Sequence, residues 1–139
     1  MIDTVDRETR SRIMAAVRSR DTAPELALRK ALHALGFRYG LHGRKLPGRP
    51  DIVLPRYRAV IFVEGCFWHG HEDCTLYRLP STRTEFWTEK VERNRARDVR
   101  TRRELDRMGW RHLTVWECAL RGKRSPGART VALKVADWL

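Results

Sequence analysis

Apolar residues recur at helical spacing in two early segments. Residues 7–20 place Ile13, Met14 and Val17 on one side with arginines around the rest, which predicts a first helix. The run Thr22-Ala-Pro-Glu25 has the form of a helix start, with Thr as N-cap, Pro in the first turn and Glu at the capping-box position. Leu28, Leu32 and Leu35 keep the helical spacing until Gly36 ends it. Residues 37–41 predict a short strand. Residues 46–50, with two prolines and a glycine, predict a loop without regular structure.

The middle of the chain changes period. Residues 51–54 and 59–63 predict two strands joined by a four-residue connection. The second, Ala-Val-Ile-Phe-Val, is apolar throughout and reads as a buried central strand. Residues 65–83 are irregular and rich in Gly, His and Cys. A long charged helix is expected over 84–108. Its apolar positions (Trp87, Val91, Leu105, Met108) are sparse, and Asn94 and Asp98 interrupt the stripe. Residues 111–116 predict a third core strand, and a last short helix ends at Leu139. The expected class is α/β, a mixed β-sheet flanked by helices. Residues 1–139 form one domain, with helix 7–20 as an arm, a core over residues 22–122 and a C-terminal helix over 128–139.

Charge then narrows the partner. Lys and Arg number 29 against 17 Asp and Glu, a formal net charge of +12. Such an excess is the electrostatic signature of a polyanion partner, although it does not separate a nuclease from a passive DNA-binding module. No apolar run approaches the ~20 residues that cross a bilayer. The first eight residues lack the apolar region of a signal peptide. A cytoplasmic, nucleoid-associated protein with reduced thiols is therefore expected. Its three cysteines, Cys66, Cys74 and Cys118, are an odd number, which leaves burial, metal ligation or nucleophilic chemistry as their roles.

Two clusters carry candidate chemistry. Folding 51–54 back on 59–63 sets Asp51 opposite residues 62–64 and puts Asp51 and Glu64 at one end of a buried sheet. Carboxylate and carbonyl oxygens gathered in this way are what Mg²⁺ takes as ligands beside substrate phosphates. Asp after Pro at a loop–strand junction is also common without function, and a capping box alone accounts for Glu25. The second cluster is Cys66-Phe-Trp-His-Gly-His-Glu-Asp-Cys74, with Cys118 following the third strand. Cys66, His71, Cys74 and Cys118 would make a Cys₃His structural Zn²⁺ site, against the alternative of buried free cysteines beside a histidine-rich loop. That set leaves His69 as a general base or acid, or as a surface histidine without a role. Phe67, Trp68, Phe86 and Trp87 lie among basic residues, where aromatic rings can wedge between bases. Phe86 is the ring expected to fill the core instead.

Six stretches in order complete the pattern: Arg10-Ser-Arg-Ile-Met14, Arg20-Asp-Thr-Ala-Pro-Glu25, Leu46-Pro-Gly-Arg-Pro-Asp51, Gly65-Cys-Phe-Trp-His69, Thr82-Arg-Thr-Glu-Phe-Trp87 and Val115-Trp-Glu-Cys-Ala-Leu120. Over residues 7–122 the chain resembles the very short patch repair (Vsr) endonucleases. The resemblance implies a restriction-endonuclease-like fold and a Mg²⁺-dependent nick 5′ to the mismatched T of a T·G pair. It implies Asp51 as central metal ligand with a backbone carbonyl near Val63, His69 as general base or acid, and Glu25 turned toward the attacking water. Glu64 stands where some members carry His. The resemblance further implies the zinc set named above and an aromatic wedge of Phe67, Trp68 and Trp87. Met14 is a minor-groove contact, and Arg20, Arg49, Lys90 and Asn94 are further DNA contacts. The implied partners are mismatched double-stranded DNA, a repair polymerase and mismatch-repair factors, with the protein acting as a monomer. The acidic-x-lysine tripeptide of the wider nuclease superfamily is absent, since the second strand reads Phe62-Val63-Glu64. The gap from His71 to Cys74 is one residue longer than in the best-known members.

Overall fold

The computed structural model describes residues 21–139, so the predicted helix over 7–20, with Met14 and Arg20, lies outside the described residues. Helix α1 spans Ala23–Ala34 and buries Leu28 and Leu32. Strand β1, Gly40–Leu41, is shorter than the predicted 37–41, because Phe37 and Tyr39 turn into the core and leave only two residues to pair. Strand β2 spans Ile52–Leu54 and β3 spans Ala59–Glu64. Between them Pro55–Tyr57 form a 3₁₀ turn closed by Arg58 at φ 46°. Helix α2 spans Thr84–Arg107, β4 spans Arg111–Trp116, and α3 spans Ala128–Trp138.

The four strands lie in the order β1-β2-β3-β4. β1, β2 and β3 pair antiparallel, and β4 joins β3 in parallel, so the sheet is mixed. Residues 65–83 and α2 supply the long crossover that a parallel neighbour requires. Strand period 2 sends Ile52, Leu54, Ile61 and Val115 to one face, where they meet Leu28 and Leu32 of α1 and Val131, Ala132 and Val135 of α3. Val53, Val60 and Phe62 face the other way and pack on Leu105 of α2. Both faces are covered, which is why β3 is a nearly unbroken apolar run. The architecture is α/β, with helices on both sides of the sheet.

Two expected core residues sit elsewhere. Met108 is exposed, because α2 ends at Arg107 and Gly109 turns away at φ 78°. Phe86 is also exposed, since it lines an open cleft, and its ring carries the Arg83 guanidinium at 4.3 Å.

Candidate functional site

The hairpin places Asp51 as its register demands. Ile52 pairs with Ile61, so Asp51 falls at the far end of β3, where its Oδ2 accepts the Val63 N–H at 2.7 Å. The first turn of α1 brings Glu25 to the same corner, buried to 2% exposure. Donor atoms of Glu25, His42 and Asp51 lie within 4.8 Å of one another. Burial pushes the Asp51 carboxyl up to about 7; the Val63 N–H opposes this, while the Glu25 carboxyl and the Glu64 charge add to it.

Glu25 does not close the expected capping box. The Thr22 side chain makes no cap bond, and Glu25 Oε2 accepts the N–H of Asp21 at 2.6 Å. Asp21 at φ 62° folds the chain back and brings its amide into reach. Arg29 Nη2 lies 3.1 Å from the same oxygen, while the buried Oε1 has no hydrogen-bond partner among the described residues. A buried and a half-buried carboxylate, the first with an orphaned oxygen among the described residues, are a donor set that fits a hard divalent cation.

Glu64 ends β3 beside a second group. His69 Nδ1 lies 2.6 Å from Asp98 Oδ2 and 3.8 Å from Glu64 Oε2, and Arg102 Nη2 donates to Glu64 Oε1 at 3.2 Å and to Thr114 Oγ1 at 2.6 Å. Burial disfavours a charged imidazole here. The Asp98 bond and the two carboxylate charges outweigh it and hold His69 above its ordinary value. Burial likewise raises Glu64.

The thiol cluster follows from the parallel pairing. Glu64 aligns with Trp116, so Cys66 and Cys118, each two residues further on, reach the same place. Ligand atoms of Cys66, His71, Cys74 and Cys118 all lie within 4.8 Å of one another, with Cys118 Sγ 3.6 Å from His71 Nδ1. The His71 ring stacks on Trp116 at 4.1 Å and 10°, and the Glu117 carboxylate accepts the Cys66 N–H at 3.1 Å. Burial pushes the Cys66 thiol up to about 12 and raises Cys118 as well. Three thiols and an imidazole converging in this way are the chemistry of a soft tetrahedral site.

An aromatic face adjoins the site. Phe67 meets Trp68 edge-on at 5.0 Å and Trp87 at 5.8 Å, and Lys90 Nζ sits 5.5 Å over the Trp68 ring. All three rings are half-buried. Glu25, Asp51, Val63, Glu64 and His69 line a cleft of about 1220 Å³ together with Phe67, Trp68, Phe86, Lys90, Arg93, Asn94 and Arg97; Trp87 does not line it. That exceeds the roughly 300–1,000 Å³ of small-molecule pockets and suits a polymer with an anionic backbone. Asn94 Nδ2 donates to the Trp68 carbonyl at 2.8 Å, and the Arg95 guanidinium donates to the Gly70 carbonyl, so α2 holds the loop that carries the rings and His69. Arg49 is exposed on the 46–50 turn and does not line the cleft.

Sequence reasoning had no role for Asp98, Arg102, His42 or Arg29. The signal for the first two was present. Val91, Asn94, Asp98, Arg102 and Leu105 share the inward stripe of α2, and the polar members of that stripe are those that reach the loop and Glu64. Among the described residues, no helix is long and apolar enough to cross a membrane.

The family model described as DNA mismatch endonuclease Vsr matches residues 2–76. The DNA mismatch endonuclease Vsr of Escherichia coli (strain K12) is 45% identical over 139 residues, covering 100% of this chain and 88% of that protein. The type II nicking enzyme V.XorIIP of Xanthomonas oryzae pv. oryzae is 49% identical over 120 residues, 86% of this chain and 88% of its own. The type II nicking enzyme V.NmeAIP of Neisseria meningitidis is 41% identical over 123 residues, 88% of this chain and 87% of its own.

Proposed function

The chain belongs to the Vsr family of DNA mismatch endonucleases, and from that premise we propose that it nicks one strand of duplex DNA 5′ to the mismatched thymine of a T·G pair. The observation that carries this reading is one cleft lined by Glu25, Asp51 and His69 together with Phe67, Trp68 and basic residues of α2. Relatives named as a mismatch endonuclease and as nicking enzymes support it. The mixed sheet flanked by helices, with Asp51 at the mouth of a hairpin, suits a restriction-endonuclease-like fold.

Asp51 and the Val63 carbonyl would hold Mg²⁺, with Glu25 beside them. When bound, that ion would lower the pKa of the attacking water and offset charge developing on the phosphate. The chain's own groups do the rest. Val63 N–H fixes the Asp51 carboxylate. Glu25 presents an oxygen with no hydrogen-bond partner among the described residues, suited to orient a water for in-line attack on phosphorus. His69, whose charged form Asp98 and Glu64 favour, would donate a proton to the departing 3′ oxygen as the P–O3′ bond breaks. The products are a 3′-hydroxyl and a 5′-phosphate.

Cys66, His71, Cys74 and Cys118 would hold Zn²⁺ as a structural clamp, tying the His69 loop to the end of β4. Phe67, Trp68 and Trp87 would enter the duplex at the weakened pair, with Lys90, Asn94 and Arg49 beside the DNA and Met14 and Arg20 contributing from the N-terminal arm. An asymmetric lesion suits a monomer acting in the cytoplasm on nucleoid DNA. A nicked product requires a repair polymerase and mismatch-repair factors downstream.

Strand-specific cleavage of labelled T·G and T·A duplexes tests this reading. One nick 5′ to the mismatched T, dependent on Mg²⁺ and absent from T·A, supports it. Equal cutting of both duplexes would instead favour a nuclease of the same fold without mismatch preference.

A further inference from the structure

Arg29 is a buried guanidinium, 8% exposed, on the second turn of α1, in the middle of the carboxylate corner. Its Nη2 reaches Asp21 Oδ1 at 2.7 Å, Glu25 Oε2 at 3.1 Å and His42 Nε2 at 3.2 Å. His42 Nε2 in turn lies 3.2 Å from Asp21 Oδ1, so Arg29, Asp21 and His42 close a ring of side-chain contacts, which Glu25 joins through Arg29. The Asp21 N–H binds the Glu25 oxygen that Arg29 binds. One oxygen of Glu25 is thus held twice, and the other has no hydrogen-bond partner among the described residues.

This arrangement has two consequences. Geometrically, the Glu25 carboxylate cannot rotate without breaking two contacts, so its free oxygen keeps one orientation. Electrostatically, a unit positive charge 3.1 Å from Glu25 offsets one of the two negative charges that Glu25 and Asp51 would present to a cation. A dication at Asp51 therefore meets less negative charge than the two carboxylates alone would supply. Without Arg29, Glu25 would be free to swing and bind the cation itself, leaving the position from which it can orient a water.

We infer that Arg29 is a positioning residue that reserves Glu25 for the attacking water, holding one of its oxygens and weakening the cation site so that Glu25 is not drawn in as a ligand. The inference rests on the proposed cation site at Asp51, and it makes an uncommon demand: removing Arg29 must tighten cation binding and slow the reaction together. A merely structural role would move both in the direction of loss.

The experiment is calorimetric titration of the zinc-loaded full chain with Mn²⁺ alone, together with single-turnover nicking of the T·G duplex, on wild type, Arg29→Met, Arg29→Lys and Asp51→Ala. Circular dichroism and zinc content establish that each variant is folded. Arg29→Met should bind Mn²⁺ roughly tenfold more tightly, from the lost positive charge, and nick about 10²-fold more slowly, from the misplaced carboxylate. Arg29→Lys keeps the charge and should bind Mn²⁺ like wild type. It should still nick about tenfold more slowly, because a single ammonium does not hold the Asp21 and Glu25 oxygens in the fork geometry. If Arg29→Met does not fold, the Lys variant carries the test alone, and wild-type nicking by it overturns the inference. A folded Arg29→Met that binds and nicks like wild type, or that loses both together, also overturns it. Unchanged Mn²⁺ binding by Asp51→Ala would overturn the cation site at Asp51, and the role of Arg29 with it.

Discussion

His69 and Asp98 are joined across 29 residues by a 2.6 Å contact between Nδ1 and Oδ2, which anchors the imidazole of the loop to the inward stripe of α2. That bond fixes the ring and, with Glu64, favours its charged form despite burial. Asp98→Asn removes one negative charge while keeping a polar partner, so the His69 pKa should fall. If protonated His69 is the acid, activity is present below its pKa and lost as pH rises through it. The alkaline limb of the pH–rate profile should therefore move to lower pH in Asp98→Asn, alongside the His69 titration followed by NMR. An unmoved limb would take His69 out of the acid role.

Asp51 supplies the opposite limb. Its carboxyl is pushed up to about 7 by burial first and the neighbouring Glu25 next. Protons and cations then compete for one oxygen set, so apparent Mg²⁺ affinity should rise as pH increases toward and through about 7. Titrations at pH 6 and pH 8 should differ by roughly tenfold; equal affinities would contradict the competition.

The same shift has a consequence for stability. A carboxyl whose folded value is raised costs stability as pH rises from the unfolded value, 3.8, to the folded one near 7, because the unfolded chain ionises first. In chelator at pH 8, Asp51→Asn should melt roughly 5 °C higher than wild type, a shift on the order of 1–2 kcal/mol. Calorimetry at pH 8 reads this directly, and a lower melting temperature would contradict it.

Cys118 closes the thiol cluster from the end of β4. Wild type should carry one zinc per chain, and Cys118→Ser should lose most of it along with several kcal/mol of stability, about what a lost structural ligand costs. Because His71 stacks on Trp116 at 4.1 Å, zinc removal should also change tryptophan emission. Full zinc content in the purified mutant would remove Cys118 from the set.

Parts of this arrangement were legible in the chain itself. The four residues between two apolar runs predicted a hairpin that sets Asp51 opposite residues 62–64, and Val63 is the one whose N–H it accepts. The Cys and His spacing pointed to the cluster that the parallel register of β3 and β4 assembles. Other parts were written in contacts that no local pattern carries. Glu25 read as a capping-box residue because Asp21 at φ 62°, which redirects its hydrogen bond, cannot be inferred from residue type. Arg29 and His42 read as ordinary polar positions, since only the packing of α1 beside the turn after β1 brings them together. Asp98 came closest to being seen, with Asn94, as a polar break in a helical stripe, and its meaning depended on what the stripe faced. Phe86 went astray for the reverse reason: this aromatic in the first turn of a helix lines an open cleft.

The most direct test of the central claim is single-turnover nicking by Asp51→Ala with mismatch binding measured on the same preparation. The account predicts binding to the T·G duplex within about threefold of wild type, because aromatic and basic groups carry it. It predicts nicking slowed by at least about 10⁴-fold, from loss of the group that would hold the cation. Nicking at the wild-type rate by a folded, zinc-loaded Asp51→Ala protein would contradict it.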